Sequence, residues 1–318
     1  MRQLARNYKG CAMSEAVKGF WAMVATCVIW GLSGLYYKML DGVPPIEVLA
    51  HRTLWSLIFF GLILGFRGRL YEVVRVLRAG RGRSAAIVAL AAIMISANWF
   101  TFIWSVQTGH AVQASLGYYI FPLVAVVMGL IVYREGLGRL QWAAVALAGT
   151  AVLVLTLGLG VAPWISLILA FTFGTYGLIK KGLKAGPMVS VCAEVLLLSP
   201  VALGVLAGYH YGWWGSAPGA GAFGKDWQTS ALLAFSGPLT GTPLLLFAYA
   251  AQRVRMATVG LVQYLNPTLQ FGVATLAFGE QVTIWHAIAL GLIWCALALY
   301  STASLRPRRV TSVPPEAV

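Results

Sequence analysis

Residues 116–135 read LGYYIFPLVAVVMGLIVYRE, and a related stretch at 261–280 reads LVQYLNPTLQFGVATLAFGE. Aligned without a gap, the two stretches match at four positions: Leu116 on Leu261, Tyr119 on Tyr264, Pro122 on Pro267 and Glu135 on Glu280. A nearby offset of 143 residues also places Gly31, Gly34 and Lys38 on Gly174, Gly177 and Lys181. Self-similarity at a nearly fixed spacing indicates a repeat architecture, so we predict that the chain is a duplication.

The composition predicts an integral membrane protein. Hydrophobic residues make up 59% of the 318 residues, charged residues only 10%, and the mean hydropathy is +0.79. A soluble domain carries about 25% charged residues. The net charge of +14 does not favour nucleic acid, because the basic residues are scattered between long apolar segments. The expected partners are therefore membrane lipids and a small-molecule substrate, and no nucleic acid.

The apolar residues fall into ten segments, each close to the 20 or so residues that a membrane-spanning helix needs. The predicted segments are 19–38, 44–66, 84–107, 111–133, 139–158, 163–180, 187–207, 229–251, 256–278 and 282–303. No continuous alternation of apolar and polar residues competes with this pattern. We predict an all-α integral membrane protein with ten transmembrane helices.

Basic residues predict the orientation. With both termini in the cytoplasm, every Lys and Arg except Lys38, Lys225 and Arg52 lies at the cytoplasmic face or in the tails. Each half then holds five helices, so the second half enters the membrane upside down. We predict a first repeat at 17–158, a second, inverted repeat at 163–303 and a cytoplasmic tail at 304–318. Inverted repeats are typical of secondary transporters, whose substrate site lies near the membrane midplane.

Ionisable residues within apolar helices are costly and mark candidate functional sites. The segments contain His51, Arg52 and Glu194. Arg52 is a candidate for binding an anionic group of the substrate, and Glu194 or His51 for coupling transport to protons. The alternatives are an ion pair between Arg52 and Glu194, an Arg52 that reaches the outer interface, and a structural histidine.

Pro122 and Pro267 fall near the middle of predicted helices and are expected to kink them, which frees the carbonyls of Tyr118 and Gln263. A freed carbonyl in a membrane must face protein or a watery cavity. The residues expected to line that cavity with Arg52 are Trp30, Tyr37, Asn98, Trp99, Tyr118, Tyr119, Gln263, Tyr264 and Asn266. The alternative is that these polar groups only join helices to each other.

Two further patterns concern packing and the membrane surface. Glycines four residues apart, Gly61/Gly65, Gly204/Gly208 and Gly237/Gly241, favour close contact between helices. The segment 67–83 places Leu70, Val73, Val74 and Leu77 at helical spacing among arginines. It is interpreted either as a short interfacial helix on anionic lipid or as a solvated linker.

Several stretches in order resemble the RarD branch of the EamA family, within the drug/metabolite transporter superfamily. They are HRTLWS (51–56), NWFTFIWSV (98–106), ASLGYYIFPL (114–123), RLQWAAVALA (139–148), YGLIKK (176–181), VQYLNPT (262–268) and GE (279–280). The resemblance implies a ten-helix, inverted-repeat carrier of the inner membrane for small metabolites or drug-like molecules. One departure is Arg134, which replaces the glycine expected before Glu135.

Together these features predict a secondary transporter that moves a small amphipathic metabolite or drug-like molecule, with an amino acid as one candidate, by alternating access. The alternatives are an integral membrane enzyme and a non-transporting scaffold. An enzyme is disfavoured because the chain has only Asp41 and Asp226 as aspartates and no ligand-like histidine pair. We expect no metal and no cofactor, and the absence of a GxxxxGK[ST] motif argues against direct use of ATP.

Overall fold

The computed structural model describes residues 15–79, 83–133, 138–160, 162–183, 185–213, 217, 219–251, 253–254 and 262–305. Those residues form eleven α-helices, and a π-helical turn at Val273–Ala277 extends the tenth of them. In chain order the helices are α1 (Glu15–Lys38), α2 (Pro45–Phe66), α3 (Leu70–Arg78), α4 (Arg83–Gln107), α5 (Ala111–Tyr133), α6 (Arg139–Leu159), α7 (Trp164–Gly182), α8 (Pro187–Tyr211), α9 (Trp227–Ala251), α10 (Leu265–Gly272) and α11 (Ile284–Leu305).

The prediction of an all-α membrane protein is confirmed. Six helices, α1, α2, α4, α6, α8 and α9, are long and apolar enough to cross a membrane. Helices α5, α7 and α11 contain shorter apolar stretches. Within the described part of the chain, the only strand-like pairing is an isolated bridge between Phe223 and Asp226. The number of ten membrane crossings stays a prediction.

Proline, glycine and one aspartate determine several helix ends. Pro45 and Pro187 occupy the first position of α2 and α8, where a missing N–H costs nothing. Gly160 and Gly212 follow α6 and α8 with φ of 69° and 73°, a conformation that other residues rarely adopt. Asp226 precedes α9, and hydrogen bonds from Thr229 and from the backbone N–H of Gln228 lower the pKa of its carboxyl group.

The helices of the two chain halves pack against each other more than within each half. Helix α1 packs on α9 and α10, α2 packs on α8 and α9, and α4 packs on α7 and α8. Helix α5 packs on α7 and α10, and α6 packs on α11. The largest apolar core includes residues of α1, α4, α5, α6, α7, α9 and α11, and a second core joins α2, α3, α4 and α8.

The segment after α2 forms a helix, as one of the two sequence interpretations expected. Val73 of α3 is buried in the second apolar core, while Leu70 and Val74 are exposed. Arg69 makes two hydrogen bonds to Glu72, at 2.6 and 2.8 Å, and these bonds lower the pKa of the Glu72 carboxyl group. Contact of α3 with lipid stays a prediction.

The structure describes most of the two related stretches, 116–135 and 261–280. Pro122 lies inside the continuous helix α5, whereas Pro267 is the third residue of α10 and follows a break in the helix at Tyr264. Glu280 accepts hydrogen bonds from the backbone N–H groups of Ala111 and Val112, both at 2.7 Å, and so caps α5. Arg134, Glu135 and residues 306–318 of the tail lie outside the described residues.

Candidate functional site

Arg52 is a buried cation at the junction of three helices. It lies on α2 with 7% of its surface exposed, and its Nη1 donates a hydrogen bond to the Tyr37 hydroxyl of α1. The guanidinium carbon lies 3.9 Å from the ring centroid of Trp99 on α4. An arginine stacked on a tryptophan in a desolvated site gains about 2 kcal/mol or more of cation–π attraction.

Arg52 has no acidic partner among the described residues. Of the nine acidic residues in the chain, Glu135 and Glu316 are not described. The other seven accept hydrogen bonds from other groups: Glu15 from Lys18, Asp41 from Lys38, Glu47 from Ala222, Glu72 from Arg69, Glu194 from Lys180, Asp226 from Gln228 and Glu280 from Ala111. The Arg52 Nε is buried and has no hydrogen-bond partner in the part of the chain that the structure describes.

This geometry suits an incoming anion. Arginine stays protonated in proteins, and burying an unpaired charge costs several kcal/mol. A planar guanidinium with an unused N–H binds carboxylate or phosphate oxygens well. The aromatic rings of Tyr37 and Trp99 beside it offer an apolar surface for the rest of an amphipathic molecule.

Asn98 and Tyr118, also predicted to line the site, connect three helices behind Arg52. The Asn98 amide nitrogen donates to the Leu169 carbonyl and to the Thr172 hydroxyl of α7, each at 3.0 Å. The Tyr118 hydroxyl of α5 donates to the Asn98 amide oxygen at 2.8 Å. Asn98 therefore joins helices to each other, as the alternative interpretation of the polar residues expected.

Glu194 has a different partner from the one considered in the sequence. Its Oε1 accepts hydrogen bonds from Lys180 Nζ at 2.6 Å and from Ser190 Oγ at 3.0 Å. Its Oε2 accepts a hydrogen bond from the Tyr176 hydroxyl at 3.2 Å. The alternative of an Arg52–Glu194 ion pair is therefore wrong, because Lys180 neutralises Glu194.

A row of aromatic rings runs from Arg52 to Glu194. Tyr37 contacts Phe102, Phe102 contacts Tyr118, Tyr118 contacts Phe173, and Phe173 stacks on Tyr176, with ring centroids 5.8–6.1 Å apart. Tyr37 binds Arg52 at one end of this aromatic row, and Tyr176 binds Glu194 at the other. The two buried charged groups are thus connected through α1, α4, α5 and α7.

His51 lies beside Arg52 in the sequence but belongs to another cluster. Its ring stacks on Phe223 with centroids 5.0 Å apart, and its Nε2 is 4.0 Å from Glu47 Oε1. The same Glu47 oxygen accepts a hydrogen bond from the Ala222 backbone N–H. Glu47 and His51 therefore hold the 219–226 loop against the start of α2.

The remaining predicted residues form a second group around α10. The Tyr119 hydroxyl lies 2.7 Å from the Thr268 hydroxyl, and Gln270 donates to the Asn266 side chain at 3.1 Å. Trp30 packs on Phe247, and Tyr264 packs on the largest core. Gln263 is half-buried. The structure thus divides the predicted site residues: Tyr37 and Trp99 contact Arg52, Asn98 and Tyr118 are bonded to each other, and the contacts described for the others are with different residues.

Sequence reasoning missed Glu47, Lys180 and Tyr176. Glu47 lies within a predicted helical segment, so its charge alone was a sufficient signal. Lys180 was counted only as a cytoplasmic charge, although it follows Tyr176 by four residues on one face of α7.

The fold has a counterpart among solved structures, and the sequence has close relatives. A crystal structure of a protein with 17% identity covers 92% of this chain and 99% of its own, with a TM-score of 0.57. That similarity concerns the fold alone. The model of the EamA-like transporter family matches residues 17–157.

Three curated relatives extend the match over most of the chain. Protein RarD of Streptomyces exfoliatus is 43% identical over 88% of this chain and 87% of its own length. The uncharacterized transporter YojE of Bacillus subtilis is 35% identical over 94% and 98%. Protein RarD of Escherichia coli is 35% identical over 93% and 97%. With its helical membrane fold and these similarities, the chain belongs to the EamA family of the drug/metabolite transporter superfamily, among the RarD-type transporters.

Proposed function

We infer that the chain is a secondary transporter for a small amphipathic molecule that carries a carboxylate or similar anionic group, such as an amino acid or another metabolite or drug-like carboxylic acid. It works by alternating access in the inner membrane, with both termini in the cytoplasm. The observation that carries this proposal is Arg52, a buried cation beside aromatic rings and without an acidic partner in the described chain. The substrate anion supplies the missing counter-charge.

Helix packing supports two inverted repeats, at 17–158 and 163–303, with a cytoplasmic tail at 304–318. In this division α1, α2, α4, α5 and α6 correspond to α7, α8, α9, α10 and α11. The contact between α1 and α9 then corresponds to the contact between α7 and α4. In the same way, the contact between α1 and α10 corresponds to the contact between α7 and α5. Likewise α2 with α9 corresponds to α8 with α4. Such exchange is expected when two halves are related by an axis in the membrane plane.

Hydrogen bonds repeat the same exchange at residue level. Asn98 donates to the Leu169 carbonyl at 3.0 Å, and Thr26 donates to the Pro243 carbonyl at 3.3 Å. The offsets seen in the sequence place Thr26 on Leu169 and Asn98 on Pro243. Each bond therefore joins one position of the first half to one of the second half, and the two bonds use the same two pairs of matching positions with the halves exchanged. This supports the repeat.

A binding experiment tests the substrate class. Melting of the purified protein is measured with small carboxylic acids and with their own amides, including phenylalanine with phenylalaninamide and phenylacetate with phenylacetamide. We expect stabilisation by acids and not by amides. Hydrogen bonds to charged groups contribute about 1.5–3 kcal/mol, so Arg52→Gln should weaken binding of the acids roughly tenfold to a hundredfold.

The control is Arg52→Lys, which keeps the charge but loses the fork of donors and should retain part of the affinity. Equal stabilisation by an acid and its amide would contradict an anionic substrate. So would an Arg52→Gln protein that binds the acids as tightly as the unchanged protein.

A further inference from the structure

The cluster around Glu194 is a second buried charged site, separate from Arg52. Glu194 is 1% exposed and receives hydrogen bonds from Lys180, Ser190 and Tyr176. Lys180 also donates to Ser190. The carboxylate is thus fully hydrogen-bonded when it is ionised and Lys180 is protonated.

The partners of Glu194 also suit its protonated form. Hydroxyl groups can donate or accept, so Ser190 and Tyr176 can turn from donors to acceptors when the carboxyl group gains a proton. Lys180 has no such freedom, because an ammonium group only donates. Protonation of Glu194 therefore breaks the ion pair with Lys180 and leaves the two hydroxyl contacts intact.

Among the side chains that the structure describes, Lys180 is the charged group that pairs with Glu194. Helix α8 packs on α2, α3, α4 and α9, but the ionisable groups bonded to Glu194, Lys180 and Tyr176, both come from α7. The side chain of Lys180 is 21% exposed and lies two residues before the end of α7. The released ammonium group therefore has a short way to water.

We propose that Glu194 is the proton-binding site of this carrier and that Lys180 is its exchange partner. A proton from water binds a Glu194 carboxylate oxygen, the Lys180 Nζ–Oε1 ion pair breaks, and the Lys180 ammonium turns to water; loss of the proton restores the pair. The aromatic row from Tyr176 to Tyr37 connects this change to Arg52. This inference rests on the proposed function, since it assigns the coupling ion and its site.

Transport into liposomes tests the proposal with tritiated phenylalanine and phenylacetate. Two readouts are compared: counterflow, which exchanges label without net transport, and accumulation driven by a pH gradient. The double variant Lys180→Met/Glu194→Gln removes both charges, so it leaves no buried ion unpaired. We expect it to keep counterflow within about twofold and to lose accumulation, because exchange needs no proton release.

The single variant Glu194→Gln should give the same result as the double variant in counterflow and in accumulation. A lower stability of the single variant would be due to its unpaired Lys180. The matched control is Glu72→Gln, which removes the carboxylate from an exposed pair with Arg69 and should change neither readout. If the double variant still accumulates label along the pH gradient, the proposal is overturned. An infrared titration adds a readout without substrate: because the other carboxyl groups also gain protons in acid, the spectrum of Glu194→Gln is subtracted from that of the unchanged protein, and the difference should contain the carbonyl band of one protonated carboxyl group.

Failure of the two proposals can be told apart. If the unchanged protein shows no counterflow of either acid, transport of such anions is refuted, and the infrared band alone then decides whether Glu194 binds a proton. If counterflow occurs but the difference between the unchanged protein and Glu194→Gln contains no such band, the proton site is refuted and transport stands.

Discussion

Asn98 makes three side-chain hydrogen bonds to the neighbouring helices. It donates twice to α7 and accepts once from Tyr118 of α5. Ser96, two residues earlier on the same helix, has a buried hydroxyl without a partner among the described residues. The two residues therefore form a natural pair for comparing a bonded with an unbonded polar group.

We expect Asn98→Ala to lower the free energy of unfolding by about 1–3 kcal/mol, because hydrogen bonds between membrane helices contribute about 0.6 kcal/mol on average and Thr172 and Tyr118 lose a partner. Thermal melting of the protein in detergent measures this. Ser96→Ala should leave the melting temperature unchanged or raise it. Equal losses in both variants would show that burial, not bonding, is responsible.

For single residues, the sequence predicted which side chains belong to the site better than it predicted which side chains they contact. Arg52, Tyr37 and Trp99 were all expected in one site, because ionisable and aromatic residues within apolar segments are few. The partner of Glu194 was missed, since charge counting assigns Lys180 to the cytoplasm. A lysine has a long side chain, and only the folded structure shows that Lys180 of α7 reaches Glu194 of α8.

Only some of the glycine pairs lie where two helices are in close contact. A Cβ added at Gly237 of α9 would meet the Trp55 carbonyl of α2, and one added at Gly241 would meet the Phe59 ring. A Cβ at Gly61 or Gly204 would meet nothing within 4 Å. Close approach of α2 and α9 therefore depends on the Gly237/Gly241 pair, one of the three glycine pairs considered in the sequence.

We expect Gly237→Ala to destabilise the protein by about 1–3 kcal/mol, since the carbonyl that it meets belongs to a helix and cannot turn away. Gly204→Ala is the matched control on α8 and should be neutral or slightly stabilising, because alanine favours a helix over glycine. Melting in detergent and the yield of folded protein measure both changes. A loss in Gly204→Ala as large as that in Gly237→Ala would contradict this account of the contact.

Helix positions were largely predictable, because long apolar runs bounded by proline and glycine leave few choices. Each of the ten predicted segments contains a helix. The break at Tyr264 and the π-helical turn at Val273–Ala277 were not predicted. Both depend on how α10 packs on α1 and α5, and hydropathy does not contain that information.

Orientation belongs to the whole molecule and can be tested by cysteine labelling. After Cys11, Cys27, Cys192 and Cys295 are replaced by alanine, Lys225→Cys and Arg78→Cys are introduced at exposed positions. In intact cells an impermeant maleimide should label Lys225→Cys, whereas Arg78→Cys should react only after permeabilisation. The reverse result would contradict the predicted cytoplasmic termini.

The sequence allowed the duplication to be predicted but not the way its halves interlock. Matching residues such as Pro122 and Pro267 indicate a repeat whatever its geometry. The pairing of α1 with α9 and of α4 with α7 is a property of the folded bundle, since the contacting residues are far apart in the chain.

The matched bonds of Asn98 and Thr26 have a consequence for the transport cycle. Leu169 lies near the start of α7, on the predicted outer half of the bundle, whereas Pro243 lies past the middle of α9, towards the cytoplasm. The outer contact is a hydrogen bond of 3.0 Å from an amide, and the inner contact is a hydrogen bond of 3.3 Å from the hydroxyl of Thr26, which also donates to the Ala22 carbonyl at 2.9 Å. The proposed repeat predicts that exchanging the conformations of the two halves also exchanges the surroundings of these two contacts. On this prediction, the oppositely facing form of the carrier follows from this structure by reversing the roles of the two halves.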